Sequence, residues 1–128
     1  MHSHVAAIIA LVLPVAAAAQ VPDSLPDGVT PQMIQEGTQL FVGAGICMAC
    51  HGMDAKGAPN LGPDLTDDEW LHGDGSFEAI VGQILEGVPL DQSKSGQIMP
   101  PKGGSGLTDD QVRAVAAYVW SLRFNSDS

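Results

Sequence analysis

Three stretches of the chain repeat apolar residues at helical spacing, and no stretch alternates them as a strand would. In the first, Met33, Ile34, Leu40 and Phe41 are the apolar positions. Thr30 precedes them as an N-cap, Pro31 suits the first helical position, and Gly43-Ala44-Gly45 ends the run. Gly37 lies inside this helix, where glycine costs about 1 kcal/mol relative to alanine. Its presence suggests that another element crosses closely there. The second stretch is Phe77 to Glu86, capped by Ser76, striped by Phe77, Ile80, Val81, Ile84 and Leu85, and stopped by Gly87 before Pro89. The third opens on Thr108-Asp109-Asp110-Gln111, a capping box, and repeats Val112, Val115, Ala116, Val119 and Leu122. A short helix over Asp67 to Leu71, started by Thr66, is also expected. The pattern predicts an all-α fold of roughly three to five helices.

Between these runs the chain is rich in Gly, Pro, Asp and Ser. Gly52 to Pro63 reads as a loop, and Leu90 to Gly106 as a second one with Ile98 and Met99 as its main apolar residues. A loop of that length in a small domain is usually functional. At the start, Val5 to Ala19 is apolar apart from Pro14 and ends in four alanines, a small-x-small cleavage pattern. At about 15 residues it falls short of the roughly 20 that span a bilayer. It therefore reads as a removed export signal with a cut after Ala19, although no Lys or Arg precedes it; a retained anchor is the alternative. The expected layout is a signal over 1–19, a flexible leader without core contribution over 20–29, one domain over 30–124 and a polar tail over 125–128.

Charge narrows the partners. Fifteen acidic residues against five basic ones leave a net charge of −10. Nucleic acid and anionic membrane surfaces are poor partners for such a chain, and a basic protein is a better one.

The chemistry concentrates in Cys47-Met48-Ala49-Cys50-His51. Two cysteines separated by two residues and followed by histidine form the attachment signal of a c-type haem. The spacing lets both thiols reach the two vinyl groups on one porphyrin edge, and His51 follows as an iron ligand. The chain has no other cysteine. A zinc site would need four donors, usually as two close pairs, and no second pair exists. A dithiol redox motif would need a βαβ setting. The reading is one haem c, covalent through Cys47 and Cys50. Covalent attachment occurs outside the cytoplasm, in agreement with the export signal.

For the other side of the iron the candidates are Met99, His72 or an open position. Met48 and Met53 lie too near His51, and Met33 belongs to the first helix. Met99 is favoured because Pro100-Pro101 stiffens the chain beside it. His72 is the competitor and is expected to be solvated in its Asp/Gly-rich stretch.

The ordered set Gly37-x-x-x-Phe41, Cys47-x-x-Cys50-His51, Gly62-Pro63-x-Leu65, Gly87-Val88-Pro89, Met99-Pro100 and a final helix with Tyr118 resembles the class I cytochrome c family over residues 31–124. The resemblance implies the cytochrome c fold around one haem. It implies that Gly37 and Phe41 lie where the first and last helices cross, against Tyr118. It also implies that the Pro63 carbonyl orients His51, and that Met99 is the second axial ligand, making the metal ligands His51 and Met99. Asp67-Asp68-x-Trp70 and Met99-Pro100-Pro101-x-Gly103-Gly104 further resemble bacterial periplasmic members and the haem domains of oxidases and quinoprotein dehydrogenases. In that setting Trp70 donates to a haem propionate, with ordinary packing as the alternative. Many family members dock through lysines. Here Lys56, Lys94 and Lys102 would make a small basic rim on an acidic body.

The expected function is that of an exported, periplasmic single-electron carrier, not an enzyme in the bond-making sense. Its partners would be redox proteins: a dehydrogenase donor and an oxidase or another cytochrome as acceptor. No nucleic acid is expected, and no stable membrane insertion once the signal is removed. The alternatives are a haem subunit of a dehydrogenase or oxidase complex, and a haem enzyme or sensor with an open iron position.

Overall fold

The computed structural model describes residues 11–14 and 24–125. Its helices are α1 (Pro31–Val42), α2 (Met48–His51), α3 (Phe77–Glu86) and α4 (Asp109–Ser121), with 3₁₀ turns at Leu90–Gln92, Pro101–Gly104 and Leu122–Phe124. Among the described residues there are no strands, only isolated bridges between Ala58 and Gly62 and between Val88 and Met99. The all-α expectation holds. Each expected cap is present. Thr30 Oγ1 accepts from Met33 N–H, Ser76 Oγ from Ala79 N–H, and Thr108 and Gln111 exchange both bonds of the capping box.

Packing centres on α4, which meets α1 and α3. At Gly37 the α1 backbone passes so close that a Cβ would lie 1.9 Å from the Ala114 carbonyl oxygen and 2.9 Å from Tyr118 Cβ. Phe41, one turn on, is fully buried and meets the Tyr118 ring edge-on at 5.2 Å. Such ring pairs add about 0.5–1.5 kcal/mol beyond the area they bury. The costly glycine is thus explained by the crossing expected at that point. On the α3 side, Arg113 donates to both oxygens of Glu78 and lies over the Phe77 ring.

The expected course of the backbone is corrected at two places. Residues 67–71 form no helix: Asp64 and Asp67 accept the N–H groups of Thr66 and Glu69, and such aspartate turns compete with helix formation. The end of the leader also belongs to the core, since Val29 is buried and Leu25 packs against the same cluster. The expected export segment lies outside the described residues except for 11–14, which are exposed. Among the described residues no helix is long and apolar enough to cross a membrane.

Because the Ala114 carbonyl is backbone, it cannot step aside for a larger side chain. Gly37→Ala is therefore expected to destabilise by about 3 kcal/mol, overpacking outweighing the gain in helix propensity. Urea unfolding checks this; an unchanged or raised midpoint would show that the crossing can open without cost.

Candidate functional site

Helix α2 is a single turn, and it delivers the two thiols and His51 to one place. His51 N–H bonds back to the Cys47 carbonyl at 3.0 Å, and Gly52, at φ 80, turns the chain away immediately afterwards. The loop that follows folds back over the imidazole. Gly57 N–H donates to the His51 carbonyl at 2.7 Å, and Ala58 pairs with Gly62. A side chain at Gly62 would strike the Cys50 carbonyl at 2.7 Å and His51 Nδ1 at 3.1 Å. Only a bare backbone there lets Pro63 approach, and its carbonyl lies 3.0 Å from His51 Nδ1.

That one bond fixes the state of the ring. A carbonyl oxygen can only accept, so Nδ1 carries the proton and Nε2 keeps a free lone pair. Burial pushes the His51 pKa below its ordinary value, against the opposing pull of Pro63, and so favours the neutral ring. An imidazole with one nitrogen anchored and the other open is a group that could serve as a metal ligand.

The cysteines are unbridged. Burial pushes the Cys47 thiol up, the reverse of what activates a redox or nucleophilic cysteine. Among the described residues no three His, Cys, Asp or Glu side chains gather into a metal site, so His51 has no protein-only chelate to join.

His51, Cys47 and Cys50 line a cavity walled by Ile80, Ile84, Val115 and Val119. Met99 lines it too. Its backbone is fastened to the end of α3, with Val88 N–H donating to the Met99 carbonyl at 2.7 Å and Met99 N–H donating to the Val88 carbonyl at 2.9 Å. Gly87, at φ 70, permits this; a Cβ there would lie 2.4 Å from the Met99 oxygen. Downstream, Lys102 adopts φ 55 and sends its ammonium to the Leu107 carbonyl and to Asp109 Oδ1, at 2.9 and 2.8 Å. The methionine segment is therefore clamped at both ends. Its competitor His72 also lines the cavity and is half-buried rather than fully solvated, and Lys94 N–H donates to its Nε2 at 3.3 Å. That bond occupies one of its two nitrogens.

Trp70 forms part of the wall and lies against Gly75, whose Cβ would be 2.3 Å from the indole nitrogen. Arg123 lies over the Trp70 ring at 5.2 Å and donates to the Gly75 carbonyl. Of the three lysines expected to make a basic rim, Lys102 lines the cavity and pairs with Asp109, while Lys56 and Lys94 are exposed beside it: Lys94 stands between Ser93 and Ser95, which line the cavity, and Lys56 acts on Asp64, which lines it too.

Three contributors have no role in the sequence reading: Gly62 and Val88 enter it only as members of ordered motifs, and Ile46 carries no signal there. Ile46 adopts φ 50. A β-branched residue there is strained, by roughly 1–3 kcal/mol.

Asp64, which follows Pro63 in the chain, closes a local turn: its carboxylate accepts from the Thr66 hydroxyl and N–H, each at 2.7 Å. Those bonds, the hydroxyl's foremost, hold the carboxyl below its usual 3.8. Its contribution to stability is thus present above that value and is lost as pH falls through the lower folded value. Below about pH 4, Asp64→Ala should lose thermal stability less steeply than the parent. Parallel melting curves would remove Asp64 from the acid response.

Comparison with known proteins places this arrangement. The family described as cytochrome C oxidase, cbb3-type, subunit III, matches residues 32–119. The cbb3-type cytochrome c oxidase subunit CcoP of Rubrivivax gelatinosus is 40% identical over 72% of this chain and 27% of its own length. Subunit FixPc of Rhizobium leguminosarum is 42% identical over 59% of this chain and 26% of its own. The chain spans about a quarter of the length of the curated relatives it matches. Among solved structures, cytochrome CL of the methylotroph Methylophaga aminisulfidivorans is 29% identical, with a TM-score of 0.54 over 70% of this chain and 52% of that one. A chain of the Kuenenia stuttgartiensis reducing HAO-like protein complex shares the fold at 22% identity, TM-score 0.56, over 80% of this chain and 49% of that one.

Proposed function

This chain belongs to the family of cbb3-type cytochrome c oxidase subunit III, and from that premise we propose that it is a haem c electron-transfer domain working with an oxidase-type complex. One observation carries the reading: both thiols, the anchored imidazole of His51 and the clamped thioether of Met99 line one largely apolar cavity. The donor set fits haem c. Cys47 and Cys50 would hold it by thioether bonds, and His51 and Met99 would ligate its iron. When bound, the haem supplies an iron that gains and gives up one electron.

The chain's own residues do the rest. Pro63 keeps the His51 ring in one orientation and one tautomer. Val88 and the Lys102–Asp109 pair keep Met99 from swinging away, so ligation need not be remade at each change of charge. Ile80, Ile84, Val115 and Val119 exclude water, and a dry surrounding disfavours the more highly charged oxidised iron. No bond-making catalysis is part of this reading.

Of the two expectations about context, the oxidase relatives support a subunit of a larger complex better than a freely diffusing carrier. The open-iron reading is disfavoured by the clamp on Met99. Export to the periplasm accords with the apolar stretch over residues 5–19 and with the place where haem c is attached.

Met99→Ala should abolish the near-infrared methionine–iron charge-transfer band of the oxidised protein and lower its reduction potential. An unaltered band and potential would assign the second ligand elsewhere. The Cys47→Ala/Cys50→Ala double variant should lose its haem on a denaturing gel, where the parent keeps it; retention by the variant would refute covalent attachment through these thiols. Co-fractionation of the full chain with a membrane oxidase supports the subunit role, and migration alone supports the carrier.

A further inference from the structure

The loop that leads to Met99 is held unevenly. Its end is paired in both directions with Val88. Its middle, residues 93–98, consists of polar residues and a glycine apart from Ile98. Most of it is exposed, although Ser93, Ser95, Gln97 and Ile98 line the cavity. The bonds it makes with itself are short in span. Ser93 Oγ meets Ser95 Oγ at 3.1 Å, Gln97 N–H donates to Ser95 Oγ at 3.3 Å, and Gly96 N–H donates to the Ser93 carbonyl at 3.4 Å. Such bonds shape a loop without fixing it to anything. Among the described residues, one hydrogen bond ties this stretch to a distant part of the chain: Lys94 N–H donates to His72 Nε2, 22 residues away, at 3.3 Å.

His72 occupies a partition. With Trp70 and Leu71 it lines the cavity. With Gln83 and Val88 it also lines an open groove along α3, completed by Gly82, Glu86 and Gln92. His72, Gln83 and Val88 belong to both and so stand between the groove and the cavity. Val88 holds Met99 itself, and His72 holds the loop before it. A backbone N–H can only donate, so Nε2 of His72 is unprotonated and accepts. The nitrogen is then engaged by the loop and is not offered to iron.

We propose that His72 is a positioning residue: through the Lys94 amide it fastens the 93–98 loop to the partition and so slows the release of Met99 and the entry of small ligands to the iron. The inference rests on the reading of Met99 as the second ligand. A small ligand reaches a six-coordinate iron when the methionine leaves. A loop free in its middle opens more often, and its opening carries Met99 with it. Val88 resists that motion from one side of Met99, and His72 resists it further up the loop.

The test follows amide exchange by NMR, residue by residue, in the full-length holoprotein reduced with dithionite, and carbon monoxide binding to the same protein by stopped flow at neutral pH. In His72→Ala the Lys94 amide should exchange about fivefold faster, the ordinary worth of one hydrogen bond, while α4 amides keep their rates. Carbon monoxide should bind at least threefold faster. His72→Gln, whose side-chain oxygen can accept the same N–H, should bring both rates back toward the parent's. Lys94→Ala keeps the N–H, loses the charge, and should match the parent. The methionine–iron band of the oxidised parent judges the Met99 reading separately, because exchange at Lys94 does not depend on which group holds the iron. Unchanged rates in His72→Ala, equal effects of the Ala and Gln variants, acceleration by Lys94→Ala, or faster exchange spread evenly over α4 would each overturn the proposal.

Discussion

The fold depends on a contact with no side chain on one side of it. At Gly37 the α1 backbone rests on the carbonyl of Ala114, and nothing larger than hydrogen fits between. The contact sets the distance between α1 and α4, and Phe41 and Tyr118 lock the angle one turn further on. From α4 the rest is hung. Val115 and Val119 face the cavity, Arg113 reaches α3, and Arg123 steadies the Trp70 wall. The walls of the site are therefore placed by the crossing beside it, since Phe41 and Val115 both belong to that crossing and line the cavity.

Within the site, backbone carbonyls and N–H groups do most of the positioning. His51 is oriented by the Pro63 carbonyl, and Met99 is fastened through its own backbone to Val88. This division suits the chemistry. The side chains that would meet the cofactor remain free to be ligands, while groups that no substitution can remove hold them. Glycines at 62 and 87 are the points where substitution would reach this arrangement, since each lets two stretches of main chain come close.

The helices were legible because their signals are local. Thr30-Pro31, Ser76 and Thr108-x-x-Gln111 each announce a boundary within four residues, and the apolar stripes lie between them. The attachment motif was equally legible, being five consecutive residues whose spacing is dictated by covalent reach. The helix expected at 67–71 does not form because the side chains of Asp64 and Asp67 each close a local turn with the N–H two residues on, an alternative to helix that acidic and Asx-rich stretches readily take. What stayed invisible was long-range pairing. Nothing in Gly87-Val88-Pro89 states that it will meet Met99, and nothing in Lys94 states that its N–H will find His72. The strain at Ile46 was also hidden, because the sequence records a residue's identity and not the backbone region it must occupy.

The meeting of α1 and α4 also orders the assembly in time. The two helices stand on either side of the thiol motif in the chain, and the walls supplied by Val115 and Val119 arrive with the later one. Contacts between segments so far apart in sequence form slowly, because the intervening chain must first be gathered in. Until α4 docks, the cavity lacks that wall; Cys50 is exposed in the finished fold as well, so it is the half-buried Cys47 and the apolar lining that the docking closes in. The crossing that fixes the helices therefore also completes the site, because its far wall belongs to the later part of the chain.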